Sequence, residues 1–330
     1  MSNYTWKYIK QHPQEVKRLL GISYEQLEQL IEQVKILNQI KQESLEQHKT
    51  RIIKPGGGKP AKLSIEEQII LTIIYLRHHL TFQLLGLMFH VSESTAHNLF
   101  NYWQDLLREG LPASLLEQIK KQDENEEMLR EQLQQYELIV DSEEQDRERP
   151  SEYQIQKKYY SGKQKSHTFK NQFIVLPLGQ DIVDVVVGQP GPVSDISLCR
   201  ERLRLFHPQQ KLIGDKAYIG ESQITTPNKK SKNRELTEEQ KEENRSLSKQ
   251  RIFVEHLIRV LKIFKASQER FRLRKDRYAE VLLTICGLVR LRKGSLFLEI
   301  IKIPDCQSTI EVIKHHSFGR DLLLACSNTS

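Results

Sequence analysis

Glu137-Leu138-Ile139-Val140-Asp141 and, further along, Lys211-Leu212-Ile213-Gly214-Asp215 decide the fold. Each is a short apolar run that reads as a buried strand and ends on an aspartate. A strand with this ending aims its carboxylate out of the edge of a sheet, at the rim where sites form in α/β proteins. A turn-starting Asp has the same pattern. Two more strands are expected at Asn171–Leu176 and Asp181–Val187, separated by a turn through Pro177 and Gly179. A helix is expected from about Asp195 to Phe206, a long one from near Ser248, and another over about Arg277–Arg292. Three strands, a helix, a strand and then helices make a mixed α/β layout.

The helix at 248–265 draws the two aspartates into a larger set. At roughly 100° per residue, Arg251, Glu255, Arg259 and Lys262 fall within about 80° of one another. Phe253, Val254, Leu257, Ile258, Val260, Leu261 and Phe264 fill most of the remaining circumference, so the helix reads as largely buried. Its charged stripe would then line a site or face the edge of the domain. The plain alternative is a solvated stripe with an Arg251–Glu255 pair contributing only ~0.2–0.5 kcal/mol. The sharper expectation is that Asp141, Asp215 and Glu255 converge. Carboxylates packed together raise one another's pKa, and divalent cations relieve that cost. Oxygen ligands without a Cys or His cluster favour Mg²⁺ or Mn²⁺ over zinc. Two such ions ~3.5–4 Å apart suit phosphodiester displacement. Residues 225–279 carry 16 Lys or Arg against 8 acids, positive charge suited to holding a polyanion.

The amino-terminal half reads as all-α. Gly21 fits a helix stop, Ser23 with Gln26 a capping box, and Leu27, Leu30, Ile31, Val34 and Leu37 recur at helical spacing. Lys54-Pro55-Gly56-Gly57-Gly58-Lys59-Pro60 is a linker. Ser64 and Glu67 cap the next helix. Then Leu80–Phe100 reads as two helices meeting at a tight turn around His90–Ser92, the layout of a helix-turn-helix. Its second helix presents Ser94, Thr95, His97 and Asn98, short polar groups suited to phosphates or base edges. A helical hairpin packed on a core would share that pattern. Residues 121–150 carry 11 acids against 4 bases and begin as a solvated helix or linker. The resulting divisions are helices to 53, a linker at 54–60, the helix-turn-helix at 61–115, an acidic connector at 116–135, the α/β domain at 136–292 and a tail from 293.

The whole chain has 330 residues and a formal charge of +7, with 38 % hydrophobic and 28 % charged residues, an ordinary globular composition. Its longest apolar run, Val281–Val289, is far short of a membrane span. The start lacks a signal-peptide layout, so a cytoplasmic protein is expected. Cys199, Cys286, Cys306 and Cys326 show no C-x-x-C spacing, which excludes a zinc ribbon and argues against a disulfide framework.

An ordered set of motifs resembles the DDE transposases of bacterial insertion sequences, the large fifth family in particular. These are Asp141-Ser142-Glu143-Glu144 with Arg149-Pro150, then Lys158 to Lys170, Gly191-Pro192-Val193-Ser194-Asp195, Gly214 to Gly220, Thr226 to Lys230, and Arg251-Ile252-Phe253-Val254-Glu255 with Lys262. The resemblance spans about residues 60–292. It implies an RNase H-like catalytic domain with Asp141 on the first strand, Asp215 after the fourth and Glu255 on a late helix. Arg251, Glu255 and Lys262 meet the family's Arg-x₃-Glu-x₆-Lys signature. Ser248 stands where related elements have Tyr, Glu143-Glu144 where relatives often have Thr-Glu, and Ser194 where they often have His.

The implied activity is DNA transposition with two divalent ions. The helix-turn-helix would bind terminal inverted repeats. Water would cut the element end, and the freed 3′-hydroxyl would attack target DNA. Arg251, Lys262, Arg259, Lys216, Lys163, Lys165 and His167 would position phosphates. Joining two ends implies a dimer or higher assembly on double-stranded DNA, in a prokaryotic cytoplasm at the nucleoid. The competing readings are a catalytically silent or host-repurposed DNA-binding protein and a Harbinger-like nuclease.

Overall fold

The computed structural model describes residues 4–47, 61–122, 126–230 and 235–296. The linker at 54–60, Cys306, Cys326 and the tail beyond 296 lie outside them. Twelve helices and six strands follow in chain order among the described residues. The all-α part holds α1 (Tyr4–Gln11), α2 (Val16–Leu20), α3 (Tyr24–Gln47), α4 (Ile65–His78), α5 (Phe82–Phe89), α6 (Glu93–Gly110), α7 (Leu115–Lys121) and α8 (Glu126–Leu133). The rest comprises β1 (Leu138–Asp146), α9 (Tyr153–Tyr159), β2 (Tyr160–Ser161), β3 (Ser166–Val175), β4 (Ile182–Pro190), α10 (Asp195–Leu203), β5 (Leu212–Ile213), β6 (Ile224–Thr225), α11 (Glu238–Leu261) and α12 (Tyr278–Lys293).

Local chemistry sets the helix starts. Ser64 and Glu67 form the expected reciprocal capping box on α4. Thr81 caps α5 and Ser92 caps α6. Between them, His90 ends α5 in the left-handed region at φ 54°. Gly86 makes this turn possible, because a Cβ there would lie 2.7 Å from the Val91 carbonyl oxygen.

The sheet is six-stranded, with β4 and β2 on β3, β3 antiparallel to β1, and β1 parallel to β5, which is parallel to β6. Alternation along β1 sorts its side chains between two cores. Leu138 and Val140 join Ile174, Leu176, Val183, Cys199 and Leu203 on the face covered by α7, α8 and α10. Ile139 joins Phe173 and Val175 on the opposite face, with Val254, Leu257 and Leu261 of α11 and Val281, Ile285 and Val289 of α12. That second core continues without a break into α1–α6 through Leu30, Ile70, Phe100 and Trp103. The helical and α/β parts thus share one apolar interior.

Arg290 of α12 locks the seam. It donates to the carbonyls of Pro112 (2.9 Å) and Ser114 (3.1 Å), to Gln118 Oε1 (2.9 Å) and to both carboxylate oxygens of Asp181 (2.7 and 2.8 Å).

Four sequence expectations need correction. β1 does not end on Asp141 but runs five residues further, to Asp146, because Glu143 and Gln145 find partners on α12 and in the segment between α11 and α12. β3 starts at Ser166 rather than Asn171, and its polar first half is buried in side-chain hydrogen bonds. β2 and β6 were not anticipated, being two residues each. α11 starts at Glu238 rather than Ser248, behind a Thr237–Gln240 capping box and the Lys241–Glu238 and Arg245–Glu242 ion pairs.

Candidate active site

The site grows from the face of β1 that meets α11. Asp141 shares that face with Ile139 and Glu143, two residues either way. β5 pairs with β1 through Leu138–Leu212 and Ile139–Ile213, and the same register continued by two residues puts Asp215 level with Asp141. Asp215 leaves the sheet as the cap of a 3-10 turn over Lys216–Tyr218, its Oδ1 accepting the Ala217 N–H at 2.7 Å. It is a turn-starting aspartate and a member of the acidic set at once. Gly214 permits the turn, since a Cβ there would meet the Tyr218 ring at 2.8 Å.

Asp141 registers the whole set electrostatically. Its pKa is pushed up to about 6, first by burial. The backbone N–H of Ser142, 2.9 Å from Oδ1, and the Arg251 guanidinium oppose the rise; Asp215 and Glu255 add to it. Asp215, Glu255 and Arg251 thus all bear on the Asp141 carboxyl electrostatically. Glu255 is exposed on α11. Among the described residues no three His, Cys, Asp or Glu side chains are gathered closely enough to cage a metal ion. The donor set suits a hard divalent cation nonetheless, being all oxygen and under-compensated at the half-buried Asp141.

Behind Asp141, on the other face of β1, Ser142 Oγ meets Tyr218 Oη at 2.9 Å. Gln172 Nε2 donates to Tyr218 Oη (3.2 Å), to Ser142 Oγ (3.3 Å) and to the Asp195 carbonyl (2.9 Å). This network fixes the strand segment that carries the first acid. Sequence reasoning missed it, and missed Glu143, whose Oε2 lies 2.9 Å from Lys262 Nζ. The available signal for Glu143 was its spacing of two from Asp141.

The cations divide. Arg251 acts on Asp141, and its Nε has no hydrogen-bond partner. Arg259 and Lys216 are exposed. Lys163, Lys165 and His167 sit on the β2–β3 hairpin. Thr168 pairs with Asp146, five residues along β1 from Asp141, or about 17 Å at strand rise. The fold does not bring these three to the acids. His167 lies edge-on to Tyr160, its pKa lowered by burial and by Arg149 and Arg147.

On α6, Ser94, Thr95, His97 and Asn98 are all exposed along the first turns. Ser94 and Thr95 hydroxyls lie 3.1 and 2.8 Å from Ser92 Oγ, and the Asn101 amide abuts the His97 ring.

A family model described as DDE superfamily endonuclease matches residues 140–290, and one described as the helix-turn-helix of DDE superfamily endonuclease matches residues 61–113. A protein of Microchaete diplosiphon described as a probable transposase for insertion sequence element IS702 is 32 % identical over 270 residues, 79 % of this chain and 88 % of that protein. The chain belongs to this transposase family. It therefore carries a DDE endonuclease domain of RNase H-like type, from a class of enzymes that works with divalent metal ions, and a helix-turn-helix DNA-binding segment. A crystal structure of a pre-cleavage Mos1 transpososome matches 77 % of the transposase and 83 % of that chain at 12 % identity, with a TM-score of 0.17, too low to inform the fold. Among the described residues no helix is long and apolar enough to cross a membrane.

Proposed function

We propose that this transposase binds the terminal inverted repeats of its own element, of the fifth insertion-sequence family, and cuts and joins DNA at the Asp141, Asp215 and Glu255 centre. The carrying observation is the raised, half-buried Asp141, with Asp215 just past the neighbouring strand and Glu255 both adding to its rise. Asp141 and Asp215 would hold two ions, Mg²⁺ or Mn²⁺, with Glu255 completing the set. Bound divalent ions supply Lewis acidity to phosphodiester oxygens and acidify the nucleophile.

The chain's own groups do the rest. Arg251, beside Asp141, donates to a phosphate oxygen as charge develops on it. Lys262, Arg259 and Lys216 flank the cut phosphate. Water adds at phosphorus, the bond to the 3′ oxygen breaks, and that oxygen leaves as a 3′-hydroxyl carrying the proton. The hydroxyl oxygen then bonds to a target phosphorus, the target's own bond from phosphorus to its 3′ oxygen breaks, and that oxygen leaves as a 3′-hydroxyl with the proton the attacking group gave up. Lys163, Lys165 and His167 meet the DNA backbone away from the acids, and Ser94, Thr95, His97 and Asn98 of α6 face the groove. A dimer or larger assembly pairs the two ends, in the cytoplasm at the nucleoid. The test is a divalent-dependent nicking assay on a duplex carrying the element end. Asp141→Asn, Asp215→Asn and Glu255→Gln should each abolish nicking and leave gel-shift affinity intact. A wild-type protein that binds the end and never nicks it, with either ion, identifies a silent DNA-binding copy instead.

A further inference from the structure

Glu143 is a buried carboxylate with one partner. Its side chain is 6 % exposed, Oε2 lies 2.9 Å from Lys262 Nζ as an ion pair without hydrogen-bond geometry, and neither carboxylate oxygen has a hydrogen-bond partner. Lys262, just past the end of α11, keeps its side chain 39 % exposed. A buried ion pair kept for stability alone is expected to satisfy its spare lone pairs and protons, because the desolvation penalty is otherwise uncompensated. This one leaves the ammonium open on its outer side. An ammonium has three N–H donors, and Glu143 engages it from one direction only. Glu143 projects from the same face of β1 as Asp141, about 7 Å along the strand.

Resting on the function proposed above, we propose that Glu143 is a positioning residue. Its buried carboxylate holds the Lys262 ammonium at the rim of the acidic centre, with the outward N–H groups directed to a phosphate oxygen of the DNA being cut. Neither the charge of Glu143 nor its oxygens touch the DNA; it acts through Lys262.

The experiment is a double-mutant cycle on single-turnover nicking of a labelled element-end duplex at saturating protein, with affinity measured separately by gel shift. Glu143→Gln keeps the shape and removes the charge that fixes the lysine. It should slow nicking about tenfold or more with affinity changed less than about twofold. In a Lys262→Met background, Glu143→Gln should slow nicking no further. If Glu143→Gln does not fold, the paired Glu143→Met with Lys262→Met leaves no buried charge, and it should nick at the rate of Lys262→Met alone. Multiplicative losses, or a Glu143→Gln protein that nicks at the wild-type rate, overturn the proposal while leaving the acidic centre standing. Loss of nicking in the wild type overturns both.

Discussion

Two ion pairs with buried carboxylates, Arg290–Asp181 and Lys262–Glu143, are built differently. At the seam, Arg290 and Asp181 are both 0 % exposed, and every guanidinium N–H is used. Asp181 also accepts the Ile182 N–H at 2.8 Å. At the site, Glu143 has one lysine, Asp141 sits with its pKa pushed up to about 6, and Arg251 Nε is unpaired. One region spends its polar groups on itself. The other keeps acceptors and cations in reserve for something that arrives. The contrast is between these two places: the seam pair is saturated and the site's charged groups are not.

Charge removal at the acids breaks this contrast most severely. Asp141→Asn and Asp215→Asn should lower nicking by about a thousandfold or more, as expected when a member of a cooperating catalytic set is lost. Circular dichroism and end binding should stay unchanged. An Asp215→Asn protein that still nicks at the wild-type rate would show that its capping of the 3-10 turn is its whole role.

At the seam the same kind of change should cost folding instead. Arg290→Met strands Asp181 without its fork, and breaking a buried pair from one side costs about 3–5 kcal/mol. Urea midpoints measure it. Since Pro112, Ser114 and Gln118 lose their donor too, the helical and α/β parts should lose cooperativity together. A shift below about 1 kcal/mol would mean the seam tolerates water.

The two pairs also differ in how far the sequence disclosed them. Asp141 and Asp215 were legible because each comes directly after an apolar strand segment, and a strand of an α/β sheet delivers its trailing residue to an edge. Glu255 and Arg251 were legible from a charged stripe on an apolar helix. Pairings across the fold were not. Glu143 and Lys262, or Arg290 and Asp181, are more than a hundred residues apart, and no local pattern joins them. β3 hid its first residues because Thr168 and Lys170 read as hairpin or loop, and their burial is permitted only by partners contributed from Glu144 of β1 and the carbonyl of Val193. α11 hid its first ten residues for a different reason. Their charges suggested solvent, while Thr237-Glu238-Glu239-Gln240 already spelled a helix start. The shared core of the helical and α/β parts was likewise invisible to a reading made in sequence blocks.

A smaller effect comes from the raised Asp141. An acid whose folded pKa lies above its unfolded value weakens the fold once pH exceeds the unfolded pKa, and the cost is complete above the folded one. Between pH 4 and pH 6 the wild type should therefore lose up to about 3 kcal/mol relative to Asp141→Asn, taking 1.36 kcal/mol per pKa unit. In chelator, Asp141→Asn should melt above the wild type at pH 8 and with it at pH 3.5. Equal melting at pH 8 would mean that Asp141 is already well solvated. The corresponding change at Asp181 should destabilise the protein.

The smallest effects belong to the exposed hairpin, and they test whether distance from the acids matters. Lys163 and Lys165 stand beyond the end of β1, about 17 Å or more from Asp141, and neither is buried. A lysine so placed can neutralise one phosphate and release its counterions, without reaching the phosphate being cut. Lys163→Ala and Lys165→Ala should each weaken end binding by about 1 kcal/mol or less and reduce the salt dependence of binding by about one ion. At saturating protein, nicking should keep its wild-type rate, whereas Lys262→Met should lower that rate at every salt concentration. A hairpin variant that binds normally and nicks slowly would place Lys163 or Lys165 beside the reacting phosphate, which requires the hairpin to fold back over α11 when DNA binds.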